Sequence, residues 1–228
     1  MTGSDAAGAP APLDPAAVDL LAALAYSELV AFEQLAEDAR SAPTLQDKAA
    51  LAEMAAAEYV HYQALELYLA QHGVDVAAAT APFIDAVRSF HELTAPHDWL
   101  ERLVKAHVGD GIGGDFYREI AGRLQEPTRA LVLEVLAGSD HAAFAVQRVR
   151  AAVRAEPLLA GRLALWARLV VAEAMAQALA VAVAHERLMA LIVRGPDGGE
   201  ASLGQLVGTF TRMTAAHNER MAALGLAD

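Results

Sequence analysis

The sequence predicts an all-α protein: two helical hairpins joined by a long crossover, with a further helical hairpin at the C-terminus. Three observations lead there. Hydrophobic residues make up 55% of the 228-residue chain, and alanine, the strongest helix former, dominates them. Valine and isoleucine do not gather into the short alternating runs that mark strands. The connections between apolar helical stretches fall in the order short, long, short, which suits hairpin, crossover, hairpin.

The elements follow in chain order. Residues 1–13 lack both a basic start and a long apolar run, so they read as a disordered tail, not as a signal peptide. Asp14-Pro15 supplies a cap and a proline at the first helical position, and helix A then runs to about Ala39. Ser41-Ala42-Pro43-Thr44 is a tight connection. Thr44 caps helix B with Asp47 three residues on, a variant of the capping box. Helix B stops at Gly73. Residues 74–96 form the long connection and keep some helical content. Helix C runs from about Asp98 to Leu124, and helix D from Pro127 to Ala155. Helix E opens at Pro157 and ends at Gly195. A Pro-Asp-Gly-Gly turn leads to helix F, from Leu203 to Leu224. The expected division is a bundle over 14–156 and a C-terminal hairpin over 157–228.

Charge and composition narrow the function classes. With 29 acidic and 17 basic residues the net charge is -12, which repels nucleic acid unless basic side chains gather on one face. Arg148, Arg150, Arg154, Arg162 and Arg168 form a loose cluster that reads as solvated helix faces. The absence of cysteine excludes disulfides and thiolate metal sites and fits a cytoplasmic protein. The most apolar stretch, Leu163–Val193, is interrupted by charge. Its clean interior is far shorter than the roughly 20 residues of a membrane span, so a buried or subunit-facing helix is expected and no membrane association.

Chemistry concentrates in one layer. Height along a hairpin can be read from distance to its turn at about 1.5 Å per residue. Glu28 and Glu58 are equally far from Pro43, and His61 lies one turn beyond Glu58. Asp110 and His141 fall at nearly equal heights about Glu126. Each sits in an apolar i, i+3/i+4 stripe, where a carboxylate or imidazole is costly unless paired. A metal ion held between four helices is a common reason for such placement. Carboxylate and imidazole donors suit iron, with manganese as an alternative.

On Glu28, Glu58-Tyr-Val-His61, Asp110 and His141, the chain resembles the ferritin-like di-iron carboxylate superfamily. Its pattern is a Glu on one helix and Glu-x-x-His on the next, given twice. Within it the nearest resemblance is to the MiaE-like tRNA hydroxylases, over residues 15–155. The resemblance implies a di-iron hydroxylase, an O₂-dependent oxidoreductase with tRNA as partner. Two departures stand out. Asp110 replaces a glutamate, and residue 138, where the second acid belongs, is glycine. Asp140 and Asp115 are the nearest substitutes, though both point off the site face on regular helices. Gly109, Gly111, Gly113 and Gly114 around Asp110 suggest either close backbone approach to metal or a π-bulge.

A second function class stays open: a non-catalytic ferritin-like protein with a mononuclear, weak or absent metal site, acting as a dimeric structural or interaction protein. The alanine-rich stretch Val170–Ala184 permits the close helix approach that a dimer needs. Iron storage fits less well, because a cage would have to accommodate helices E and F. Other features read as ordinary structure. Glu134 is expected to pair with Arg118, and His91 and His107 to pack. His185, Glu186, His217 and Glu219 form no Glu-x-x-His pair. Tyr26, Tyr59, Tyr62 and Tyr117 lie near the carboxylate layer.

Overall fold

The structure, a computed structural model, describes residues 11–137, 141–193 and 203–226. Among these residues there is no strand. The helices are α1 (Pro15–Ser41), α2 (Leu45–Gln71), α3 (Val76–Thr80), α4 (Ile84–Leu93), α5 (Trp99–Ala121), α6 (Thr128–Val135), α7 (His141–Ala155), α8 (Leu159–Ala184), α9 (Glu186–Ile192) and α10 (Leu203–Leu224).

Helix ends follow local chemistry. The Asp14 carboxylate accepts from the Ala16 amide at 2.9 Å and satisfies one of the orphan donors of α1. At the start of α2, Thr44 Oγ1 accepts from the Asp47 amide at 3.1 Å and donates to the Asp47 carboxylate at 2.7 Å. Asp98 caps α5 through the Glu101 amide at 2.9 Å. After α2 the chain turns through Gly73 at φ +75°, a conformation that costs a β-carbon dearly.

Four columns make the bundle. Helices α1 and α2 pack as an antiparallel hairpin, the most extensive contact in the molecule. Helix α5 runs antiparallel to α1: Arg102 donates to Asp38 at 2.7 Å near one end, and Ser27 and Tyr117 hydroxyls meet at 3.5 Å further along. Helices α6 and α7 together run antiparallel to α2. Thr128 meets Tyr68 at 2.9 Å, and Arg148 donates to Asp47 at 2.6 Å. Helices α2 and α5 therefore point the same way, and α3, a short 3₁₀ turn and α4 form the crossover between them.

The core divides between the two ends. One cluster joins Leu20, Leu21 and Leu24 of α1 to Leu65, Leu69, Ile120, Val132 and Leu188. The other joins Leu103, Val104 and Val108 of α5 to Val149, Leu163, Ala167, Val170 and Leu224. Helices α8 and α10 both pack alongside α5.

Two expected helices are each divided. Helix D ends a first segment at Val135, Leu136 and Ala137 form a turn, and α7 begins at His141. Helix E changes at His185, whose backbone is extended at φ -122°, ψ 92°. Its last part, α9, packs on α1. The expected turn at Pro196–Gly199 lies outside the described residues.

Helices α1 and α8 are long and apolar enough to cross a membrane by length and composition. In α1 much of that stretch is buried, whereas α8 is 17% buried.

Candidate metal centre

Glu28 of α1 and Glu58 and His61 of α2 face one another because the α1–α2 hairpin places them equally far from its turn. Their ligand atoms all lie within 4.8 Å of one another. His61 Nδ1 is 3.3 Å from Glu28 Oε2 and 3.3 Å from Glu58 Oε2. The three side chains are largely buried, at 12%, 8% and 16% exposure for Glu28, Glu58 and His61.

Burial sets the electrostatics. It pushes the Glu28 carboxyl up to about 8, with Glu58 adding to the rise and His61 opposing it. Hydrogen bonds from Glu28 and Glu58 push the His61 imidazole up to about 10 against its own burial. Two carboxyls thus share one imidazolium. Such a cluster holds protons that a cation can replace, and its two oxygens and one nitrogen are donors for iron, manganese or zinc. The donor set fits one ion.

Among the described residues, no other expected ligand converges on this group. Asp110 lines the same cavity from α5 but is exposed, and its carboxylate is not among the converging atoms. Asp115 is engaged elsewhere, accepting from Arg220 at 2.7 Å and from Arg118 at 3.3 Å. Asp140 lies outside the described residues, as does the His141 side chain.

The glycines around Asp110 mark no π-bulge: helix α5 is regular α-helix throughout. A β-carbon at Gly111 would lie 2.5 Å from the Arg220 side chain, so this glycine makes room for the Arg220–Asp115 pair. A β-carbon at Gly113 would meet open space.

Of the four tyrosines, Tyr117 adjoins the centre. Burial pushes its hydroxyl up to about 12, with the nearby Glu28 charge adding to the rise. Tyr59 instead stacks on Tyr62 and packs on Phe32, half-exposed on the far face of α2.

The centre opens onto a cavity of about 920 Å³ that follows α1 from Leu20 to Asp38 and α5 from Arg102 to Arg123. Its walls are mostly apolar and include Leu24, Ile112, Phe116, Val181, Leu188 and Met213. Periodicity gave no sign of this space. It marks which helix faces turn inward, not whether facing side chains fill the gap.

Three of the five arginines of the basic cluster are engaged within the chain. Arg148 pairs with Asp47, Arg162 with Asp98 and Glu101, and Arg150 donates to the Ala223 carbonyl at 3.3 Å. Arg118 donates to the Leu136 carbonyl at 3.0 Å and to Asp115, while Glu134 is exposed.

The antiparallel hairpin carrying Glu28 and Glu58-x-x-His61, the crossover and the returning α6–α7 column reproduce the expected ferritin-like layout. A family model described as "Ferritin-like domain, actinomycetes" matches residues 12–195. The chain belongs to that family. The matched stretch of this ferritin-like protein runs past Glu156 and takes in α8 and α9, so the family domain is longer than the four bundle columns. No curated protein matches the chain.

Proposed function

We propose that this ferritin-like protein is a metal-dependent oxidase or hydroxylase with one cation site, formed by Glu28, Glu58 and His61. The observation that carries the reading is the convergence of these three donors within 4.8 Å at the wall of a 920 Å³ cavity. An isolated buried ion pair needs no cavity beside it. A substrate site does, and the volume falls in the roughly 300–1,000 Å³ range of small-molecule pockets.

When bound, iron would supply O₂ activation; with two electrons from an external reductant, one oxygen atom would enter a C–H bond and the other would leave as water. The chain's own residues do the rest. Glu28 and Glu58 furnish negative charge that would offset the cation, and His61 would have to lose the proton from whichever ring nitrogen, Nδ1 or Nε2, bound it. Tyr117, with its hydroxyl proton firmly held, offers a hydrogen-bond donor next to Glu28. Leu20, Leu24 and Phe116 keep water away.

An organic substrate that enters the apolar cavity suits this surface better than tRNA. The net charge is -12, and arginines of the one basic cluster are held by intramolecular partners. The MiaE-like resemblance therefore supports the oxygen chemistry more than the substrate.

Oxygen uptake tests the reading. Protein loaded anaerobically with Fe(II) should consume O₂ faster than the same free iron, and Glu58→Ala should abolish the excess. Uptake equal to that of free iron would favour the non-catalytic alternative.

A further inference from the structure

The proposed metal centre occupies only part of its cavity. Further along, α4 and α5 present a second polar group to the same space. Lys105 is buried, at 7% exposure, and lines the cavity. Its ammonium has no hydrogen-bond partner. His91 lines the same wall with Nδ1 buried and equally without a partner. Phe90 holds the two together: Lys105 Nζ lies 5.3 Å from its ring centroid and the His91 ring 5.0 Å. Buried polar atoms without a partner, an ammonium above all, are uncommon in folded proteins and call for an occupant; the neutral His91 ring donates from Nδ1 in one of its two tautomers.

The surrounding charges define that occupant. Arg102 is matched by Asp38 at 2.7 Å. Asp38 and Asp110 are the acidic charges acting on Lys105; the first is shared with Arg102 and the second is exposed. Lys105 thus keeps an ammonium whose hydrogen-bonding capacity is unused. From Asp38, beside this end, to Glu28 is ten residues along α1, or about 15 Å. Between them α1 contributes Ala31, Gln34 and Leu35 and α5 contributes Ala106, Gly109, Asp110 and Ile112, a mostly apolar wall, and Gly113 leaves open space where a side chain would project.

We propose that the cavity binds a single-chain amphiphile with one carboxylate head, the head against Lys105 and His91 and the chain directed toward Glu28 and His61. A chain of roughly ten to twelve carbons, with bonds near 1.5 Å, spans the distance. This site rests on the cavity and its unpartnered donors, not on the metal reading. Taken together, the two would make such a chain the substrate class.

Calorimetric titration of the full-length protein with dodecanoate and with dodecanol, below their aggregation limits, tests the proposal. Dodecanoate should bind, and Lys105→Met should weaken it about tenfold or more, as loss of a charge-assisted contact does. The same variant should weaken dodecanol less than about threefold. Gly113→Leu, which fills the open space without a backbone clash, should weaken both. Circular dichroism and melting curves verify that the variants fold. Absence of binding to the wild type, or equal losses for both ligands in Lys105→Met, would overturn the proposal and leave water as the partner of these donors. Repeating the titration on chelator-treated protein separates the two readings. Binding that persists after chelation sustains this site independently of the metal, and metal content measured before chelation tests the centre on its own.

Discussion

His61 carries the centre's charge balance, standing 3.3 Å from each of two buried carboxyls. A bound divalent ion takes over that role, so metal should stabilise the fold. At free metal near 100 times its dissociation constant the gain is about 2.7 kcal/mol, read as a rise in melting temperature that Glu28→Ala and Glu58→Ala both lose. A melting temperature indifferent to metal would argue against binding at this position. His107 makes a separate prediction. Burial, with the Arg220 charge nearby, pushes its imidazole down to about 4. The folded state keeps it neutral, while the unfolded chain protonates it near 6.5. Its stability contribution is therefore complete above pH 6.5 and lost as pH falls from there toward 4, by on the order of 2–3 kcal/mol. Denaturant melts across that window should show a shallower decline in His107→Gln than in wild type; parallel curves would remove His107 as the cause.

At the scale of elements, α5 carries four glycines in six residues, each of which weakens a helix by about 0.5–1 kcal/mol relative to alanine. Their environments differ, so their alanine variants should differ in sign. Gly113→Ala meets open space and should stabilise by about 0.5–1 kcal/mol. Gly111→Ala drives a methyl into Arg220, which is held by Asp115, and should destabilise by about 1–3 kcal/mol. Equal effects in thermal melts would contradict this account of α5. The same contrast shows what a linear chain reveals. The α1–α2 hairpin was legible because a short connection makes distance from Pro43 a true measure of height. That logic located Glu28, Glu58 and His61. It says less about Asp110, because a single amphipathic stripe does not fix how far that side chain stands from its neighbours, and the His141 side chain lies outside the described residues. The fate of Asp115 was illegible for another reason: its partner Arg220 is 105 residues away, and no local pattern announces such a pair. Lys105 was passed over because a lone lysine in a helix usually reaches solvent.

At the scale of the whole molecule, α8 is unusual. Its positions Leu165, Leu169, Ala172, Ala176, Leu179 and Val183 are apolar and exposed, and Ala172, Ala176 and Leu179 also border the cavity. They repeat at alternating steps of four and three, the spacing of a coiled-coil seam. A contiguous apolar face of this kind normally covers a partner, and a second copy of the chain supplies a matching one. Light scattering should therefore return twice the chain mass, and Leu165→Glu with Leu169→Glu should return the monomer. A monomeric wild type would contradict that assignment and turn attention to a membrane surface as the cover for α8. These two substitutions leave the cavity lining untouched, so metal content should survive them.

The account turns on one ion held by three residues, and metal content measures it most directly. Protein purified without chelators from iron- and manganese-supplemented cells should carry about one such ion per chain, with ligand sets of this type favouring these metals. Glu58→Ala should carry almost none. Two ions per chain would show that ligands beyond Glu28, Glu58 and His61 complete a dinuclear site. A metal content unchanged in Glu58→Ala would contradict the assignment of the centre altogether.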